Sequence, residues 1–212
     1  MHIAVIGVGN VGSATAFSIL RTCIASELSV VDIKPGLAKA VAEELCHANS
    51  YFKCDTIINY FERDGDLSGA DIVIVSAGYP RQPGTKISRR ELVGKNAEII
   101  KYIAEAVSPN NRGAKYVIVT NPVDAMAMLF KKVSRKEFVI STGTSLETLR
   151  FKSILARMLN IPVKEVSGFV GGEHGKEAVI LWSTVRIGGI ELIEYLESRD
   201  IDLDKKSIEE YM

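Results

Sequence analysis

The feature that most constrains this chain is its beginning, where an apolar run leads directly into three closely spaced glycines. Residues 3–6 are apolar and mostly β-branched without alternation, which is typical of a parallel strand buried on both faces. Gly7, Gly9 and Gly12 follow with the spacing G-x-G-x-x-G. In a strand–turn–helix unit, the first glycine permits the tight turn, the second lets the backbone approach a pyrophosphate, and the third lets the helix pack closely. The pattern predicts a dinucleotide-binding turn, with free N–H groups at the helix start facing an anion.

An acidic residue at the end of the second apolar run indicates which dinucleotide is bound. Residues 28–33 include Asp32, which comes twenty residues after Gly12. A carboxylate at this place accepts hydrogen bonds from the adenosine ribose and repels a 2′-phosphate, which favours NAD over NADP. The alternative is that Asp32 only ends the strand or caps the next helix.

Strand and helix patterns alternate up to about residue 142. Strands are predicted over residues 3–6, 28–33, 55–61, 70–77, 115–120 and 138–141, and helices after Gly12 and over residues 37–48 and 91–107. The alternation predicts an α/β fold with an open, doubly wound, mostly parallel sheet that binds ligands beyond the carboxyl ends of its strands. Residues 78–88 contain two prolines and two glycines and predict a mobile loop at one of these ends.

Beyond Gly143 the pattern becomes that of a second, α+β region. A long helix is predicted over residues 145–159, strands over 166–170 and 178–185, and the start of another helix over 190–198. No low-complexity linker separates the regions. We therefore expect two domains, 1–142 and 143–212, that pack together.

Composition narrows the classes of partner. The chain has 26 basic and 26 acidic residues without long blocks of one sign, so we expect a small ligand and neither nucleic acid nor a membrane surface. No apolar run is long enough to span a bilayer and no basic leader precedes the first strand, which predicts a cytoplasmic protein. Cys23, Cys46 and Cys54 lack the spacing of a metal site, so thiols are expected, with a bridge between Cys46 and Cys54 as the alternative.

Seven motifs follow one another along the chain: GVGNVG, VVDI, SAGYPRQPG, RREL with Asn96, TNPVD, SLETLRF and GGEHG. In this order they resemble the lactate and malate dehydrogenase family over essentially the full length present. The resemblance implies a Rossmann NAD-binding domain followed by a substrate domain, hydride transfer between NAD and a 2-hydroxy acid, and homo-oligomers. It implies cofactor contacts from Gly7, Gly9, Asn10, Val11, Gly12, Asp32, Asn96 and Asn121.

His174, within GGEHG, is the candidate acid and base, because an imidazole can give a proton to a forming alkoxide or take one from the alcohol. His2 and His47 lack such a context and are expected to be structural. The resemblance makes Glu147 the carboxylate that holds His174, at a position where the family usually has aspartate. The added methylene predicts an altered geometry and pKa for the pair, and the alternative is a solvated helix glutamate.

Three further residues are candidates for substrate binding under the resemblance. Arg150 lies one helical turn after Glu147, and its planar guanidinium suits a substrate carboxylate. Arg89 matches the family's loop arginine that polarises the reacting carbonyl. Arg90 is the alternative, because the loop is about two residues longer than usual. Asn121 would hydrogen-bond the substrate near the nicotinamide.

Arg81 determines the expected substrate. In this family an arginine there accompanies a second substrate carboxylate, whereas glutamine accompanies a lactate-type methyl group. Burying a methyl group against an unpaired guanidinium would cost roughly 2 to 5 kcal/mol, so we expect malate and oxaloacetate. If the loop is shifted, Gln82 takes this position instead, which would favour lactate.

The chain ends well before the family's usual end, so we expect an incomplete substrate domain. If this were the whole protein, exposed apolar surface would favour assembly with another copy. A nucleotide-binding relative without turnover is therefore an alternative, although the presence of His174, Arg150, Arg89 and Asn121 argues against it.

Overall fold

The computed structural model of the chain describes residues 1–79, 89–174 and 177–211, and only the backbone of Arg89. These residues form two compact units, Met1–Ser141 and Thr142–Met212. The division lies one residue from the predicted boundary. Within the described ranges, no helix is both long and apolar enough to cross a membrane.

The first unit is built on a six-stranded parallel sheet with the order β3-β2-β1-β4-β5-β6. Its strands are β1 (His2–Ile6), β2 (Glu27–Val31), β3 (Ile57–Phe61), β4 (Ile72–Val75), β5 (Lys115–Ile118) and β6 (Val139–Ser141). Its helices are α1 (Asn10–Arg21), α2 (Leu37–Phe52), α3 (Arg89–Val107) and α4 (Val123–Ser134). This confirms the predicted doubly wound parallel sheet. Helix α4, which follows the TNP motif, was not predicted.

Both faces of this sheet are covered by helices, which explains why all five residues of β1 are buried. Helices α1 and α2 pack on one face through residues such as Leu20 and Leu45. Helices α3 and α4 pack on the other through residues such as Ile103 and Phe130. The chain reverses its direction of winding between β1 and β4. Sheets of this kind bind ligands in the crevice at the carboxyl ends of the two strands where the reversal occurs.

The second unit combines a long helix with short antiparallel strands. Its elements are α5 (Ser145–Met158), β7 (Val166–Ser167), β8 (Val170–Gly172), β9 (Ala178–Ile180), β10 (Arg186–Ile187), β11 (Ile190–Glu191), α6 (Leu192–Glu197) and α7 (Lys205–Glu210). Strands β8 and β9 pair with each other, and β11, β10 and β7 form a separate sheet. The two long strands predicted here are wrong. Gly168, with φ +148°, breaks the first, and a 3₁₀ turn at Trp182–Thr184 interrupts the second.

In the first unit, the expected free thiol is confirmed for Cys46, but the expectation is wrong for Cys23 and Cys54, and so is the alternative bridge between Cys46 and Cys54. Cys23 and Cys54 form a disulfide with their Cα atoms 5.3 Å apart, whereas Cys46 is free and exposed. Cys23 follows the end of α1 and Cys54 follows the end of α2. Because these helices pack on the same face of the sheet, their ends come together although they are 31 residues apart.

Candidate active site

In the turn after β1, packing requires glycine at two of the three glycine positions. Gly7 has φ +84°, and a Cβ atom there would collide with the backbone of Ala77. A Cβ atom on Gly12 would collide with the carbonyl of Gly7, so α1 can start this close to the strand only with glycine at that position. No described residue has an atom within 4 Å of a Cβ built on Gly9. Gly9 therefore leaves an open stretch of backbone beside the N-terminus of α1, as a bound pyrophosphate would need.

A cavity of about 710 Å³ opens at the carboxyl ends of β1, β2 and β4. The glycine turn, the end of β2, the segment after β4 and one side of α3 contribute to its lining. Its size and its mostly apolar wall suit a small molecule such as part of a dinucleotide. Its lining includes Gly9, Asp32, Lys34, Asp64, Glu98 and Tyr102.

Asp32 lines this cavity directly after β2, and its carboxylate is held by backbone groups. Oδ2 accepts a hydrogen bond from the backbone N–H of Val8 at 2.9 Å, and Oδ1 accepts one from that of Lys34 at 2.9 Å. The first bond ties the end of β2 to the glycine turn. Each carboxylate oxygen has a further lone pair, so Asp32 can stabilise the strand end and still accept from ribose hydroxyls.

Asp64 is a second carboxylate at the cavity, which the sequence analysis did not find. It begins a short 3₁₀ turn after β3, is 3% exposed, and lines the same cavity as Asp32. Burial, and secondly the negative charge of Asp32, raise the pKa of Asp64 to about 6. The available signal was the acidic sequence DGD immediately after a predicted strand.

The raised pKa predicts that Asp64→Asn stabilises the fold at alkaline pH. The folded state retains the Asp64 proton up to about pH 6, whereas the unfolded chain releases it near 3.8, so the free energy of unfolding falls as the pH rises between these values. Asparagine removes this penalty. We expect a gain of about 3 kcal/mol at pH 8. Urea unfolding of both proteins at pH 8 and at pH 3.5 measures it, and an equal gain at the two pH values would contradict the explanation.

Asn96 connects the segments that follow β4 and β5. Its Oδ1 accepts a hydrogen bond from the backbone N–H of Tyr79 at 2.7 Å, and its Nδ2 donates to the carbonyl of Asn121 at 2.7 Å. The Asn96 side chain is buried, and the peptide bond between Asn121 and Pro122 is cis. The side chain of Asn96 thus positions the two strand ends relative to each other, while the exposed Asn121 lies at the end of its strand.

Of the three candidate arginines Arg81, Arg89 and Arg90, Arg90 is the one whose side chain is among the described residues. Arg81 and its alternative Gln82 fall outside the described residues, as does the greater part of the predicted mobile loop. Arg89 begins α3, but its side chain is not among the described groups. Arg90 follows it in the first turn of the helix and is exposed.

The second unit brings His174 and Glu147 together. Glu147 lies in the first turn of α5, and His174 lies in the connection between β8 and β9. The helix holds this hairpin through two threonines: Thr144 Oγ1 donates to the Val170 carbonyl at 2.6 Å, and Thr148 Oγ1 accepts from the Val170 N–H at 3.0 Å. Because these threonines are one turn apart and flank Glu147, its side chain is directed to the hairpin.

Nδ1 of His174 lies 2.9 Å from Oε1 of Glu147, the distance of an ion pair. The ring N–H is not aligned for a full hydrogen bond at this distance. The guanidinium of Arg150 lies 3.5 Å from the same oxygen. Glu147 is thus a buried carboxylate between an imidazole and a guanidinium, not the solvated helix glutamate of the alternative.

The pKa of Glu147 follows from these neighbours. Burial would raise it, but the close contact with the imidazole of His174, the backbone N–H of Glu147 and the charge of Arg150 outweigh burial, and the pKa lies below its usual range. Oε2 has no hydrogen-bond partner among the described residues. Glu147 therefore remains ionised at working pH and can stabilise a positive charge on the imidazole.

Known proteins resemble this chain in sequence and in fold. The family model for the lactate/malate dehydrogenase NAD-binding domain matches residues 1–138. Malate dehydrogenase of Sulfurisphaera tokodaii is 43% identical over 99% of this chain and 66% of its own length. Malate dehydrogenase of Sulfolobus acidocaldarius is 41% identical over 100% of this chain and 67% of its own. A solved lactate dehydrogenase from Cryptosporidium parvum, in complex with lactic acid and NAD, has TM-score 0.89 at 30% identity and covers 99% of this chain and 65% of its own.

The glycine turn, the parallel sheet and the carboxylate after β2 define the first unit as a dinucleotide-binding domain of dehydrogenase type. The chain belongs to the lactate/malate dehydrogenase family, and the cofactor of its first unit is NAD. It spans about two thirds of the length of the relatives that it matches.

Proposed function

We propose that this protein is an NAD-dependent malate dehydrogenase, which transfers a hydride reversibly between malate and NAD. The observation that carries the proposal is the 2.9 Å contact between His174 and the buried Glu147. Such a pair provides a proton donor with a fixed counter-charge, as reduction of a carbonyl group requires. The two archaeal relatives named malate dehydrogenase support the choice of substrate.

Bound NAD supplies or accepts the hydride, and the residues of this chain bind the reactants and move the proton. Gly9, with its open backbone, would face the pyrophosphate, and Asp32 would accept hydrogen bonds from the ribose. The remaining residues proposed to contact the cofactor are Gly7, Asn10, Val11, Gly12, Asn96 and Asn121.

His174 would exchange the proton through Nε2, because Nδ1 faces Glu147. During reduction of oxaloacetate, Nε2 gives its proton to the oxygen of the former carbonyl, and during oxidation of malate it takes this proton back. Glu147 stabilises the imidazolium that is present before oxaloacetate is reduced and after malate is oxidised. The proton therefore moves between substrate and His174 while the charge of Glu147 stays constant.

The substrate carboxylates would be bound by arginines. The side chain of Arg150 is 58% exposed and only 3.5 Å from Glu147, so its guanidinium has free N–H groups for the C1 carboxylate. Arg89, or Arg90 in its place, would polarise the carbonyl, and Asn121 would donate a hydrogen bond to the substrate. Arg81 would bind the second carboxylate.

The assignment to malate predicts that Arg81→Gln changes the substrate. We expect NADH absorbance to show faster turnover of oxaloacetate than of pyruvate in the unmodified protein. The replacement should lower kcat/KM for oxaloacetate by at least about 100-fold, because one carboxylate loses its bidentate partner. Arg112→Gln, which removes an exposed arginine outside these motifs, is the control and should change neither rate.

The same assay separates the alternatives. Turnover of pyruvate alone would identify an L-lactate dehydrogenase and would contradict the role of Arg81. Binding of NADH without turnover of either oxo acid would identify a nucleotide-binding relative without activity.

The family resemblance supports the proposed assembly, and the proposed location is the one expected from the sequence pattern. The protein would act as a homo-oligomer, a dimer or tetramer, in the cytoplasm on a small dicarboxylate. Light scattering on the purified protein measures the number of subunits.

A further inference from the structure

Asp64 is the buried acidic group that the proposed reaction leaves unused. It is 3% exposed, and its backbone carbonyl accepts a hydrogen bond from the N–H of Leu67 at 3.3 Å. An unpaired charge on a buried carboxylate is unfavourable, and this carboxylate lines the cavity at the carboxyl ends of β1, β2 and β4, where a ligand can meet it.

Asp64 and Asp32 share one end of the sheet. Asp32 follows β2 and Asp64 follows the neighbouring β3, and the N–H of Asp32 donates to the carbonyl of Phe61 at 3.2 Å. Both carboxylates line the same cavity, and the charge of Asp32 contributes to the raised pKa of Asp64. A group bound by Asp32 is therefore also within the field of Asp64.

The charged groups around the cavity are predominantly acidic. Among the lining residues that the structure describes, Asp32, Asp64 and Glu98 are acidic, and Lys34 is the basic one. Lys34 and Glu98 are both exposed to solvent, which weakens their fields, whereas the field of the buried Asp64 carboxylate is screened far less. The other titratable residues in the described lining are Tyr79 and Tyr102.

We propose that Asp64 is a second residue that determines cofactor specificity, acting with Asp32 to exclude dinucleotides that carry a phosphate on the adenosine ribose. The inference rests on the binding of NAD in this cavity, as proposed above. A phosphomonoester carries a charge of about −1.5 to −2 near neutral pH, whereas the ribose hydroxyl of NAD is neutral. A second buried carboxylate therefore weakens the binding of NADP strongly and that of NAD little.

Direct binding of NADH and NADPH to Asp64→Asn, measured by calorimetry at pH 8, tests this role. At this pH Asp64 is ionised, because its pKa is about 6. We expect the replacement to tighten NADPH binding about tenfold and to leave the Kd for NADH within about twofold. Asp66→Asn removes an equal charge from an exposed site on the same 3₁₀ turn and should change neither Kd.

Equal NADPH affinity in the Asp64 and Asp66 variants would overturn the inference, as would a loss of NADH affinity in Asp64→Asn alone. Asp64→Ser removes the same charge with a smaller side chain and keeps the test valid if the asparagine variant does not fold. Failure of the unmodified protein to bind NADH would instead contradict the proposed function, so the two failures are distinguishable.

Discussion

Replacing His174 with asparagine is expected to lower kcat for oxaloacetate reduction by about 10³-fold, because asparagine cannot donate the proton at this place. The affinity for NADH should stay within about twofold, since the glycine turn and Asp32 belong to the first unit and His174 to the second. Single-turnover absorbance measures the chemical step, and the fluorescence of bound NADH measures affinity.

His47→Asn is the matched control for this variant. His47 is exposed on α2, and its replacement should leave both kcat and NADH affinity unchanged. If His174→Asn retained kcat within about tenfold, another group would have to donate the proton and the proposed role would be wrong.

Much of the first unit could be predicted from the sequence because its signals are local. The unbroken apolar run of β1 follows from burial on both faces, and the glycine spacing follows from collisions that any Cβ at Gly7 or Gly12 would make. Asp32 was predictable for the same reason, since it directly ends an apolar strand. These patterns are local in the sequence, so a single sequence contains them, although the residue that excludes a Cβ atom at Gly7 is the distant Ala77.

The second unit was harder to predict because its strands have only two or three residues. A segment this short shows no periodicity, and a single glycine with positive φ, Gly168, separates two strands that the apolar pattern joins. The pairing of Glu147 with His174 was predicted from the family resemblance. No local rule indicates it, because the two residues meet only when α5 packs beside the β8–β9 hairpin.

The disulfide and Asp64 were missed for a related reason. Cys23 pairs with Cys54 because α1 and α2 lie side by side on one face of the sheet, a fact of topology that cysteine spacing does not contain. Asp64 stands out only by its burial beside Asp32, which depends on the order of β2 and β3 in the sheet. Both features require the arrangement of elements distant in sequence.

The charge of Glu147, more than its shape, should matter for catalysis, and Glu147→Gln tests this. Glutamine keeps the length of the side chain but removes the negative charge 2.9 Å from Nδ1 of His174. The imidazolium then lacks its counter-charge, so the protonated form that reduces oxaloacetate is less stable. We expect kcat to fall by about 100-fold at neutral pH, and the alkaline limb of its pH profile to move to lower pH.

Glu147→Asp provides the complementary change, since it keeps the charge and shortens the side chain to the length that is usual in the family. We expect it to retain the greater part of kcat with the alkaline limb in place. Glu173→Gln, which removes an exposed carboxylate next to His174, controls for the general loss of one negative charge and should leave the profile unchanged. If glutamine at position 147 preserved the alkaline limb, Glu147 would act only by holding the ring in position. The low pKa of the Glu147 carboxyl would then result from its pairing with His174, but its charge would not stabilise the proton on His174.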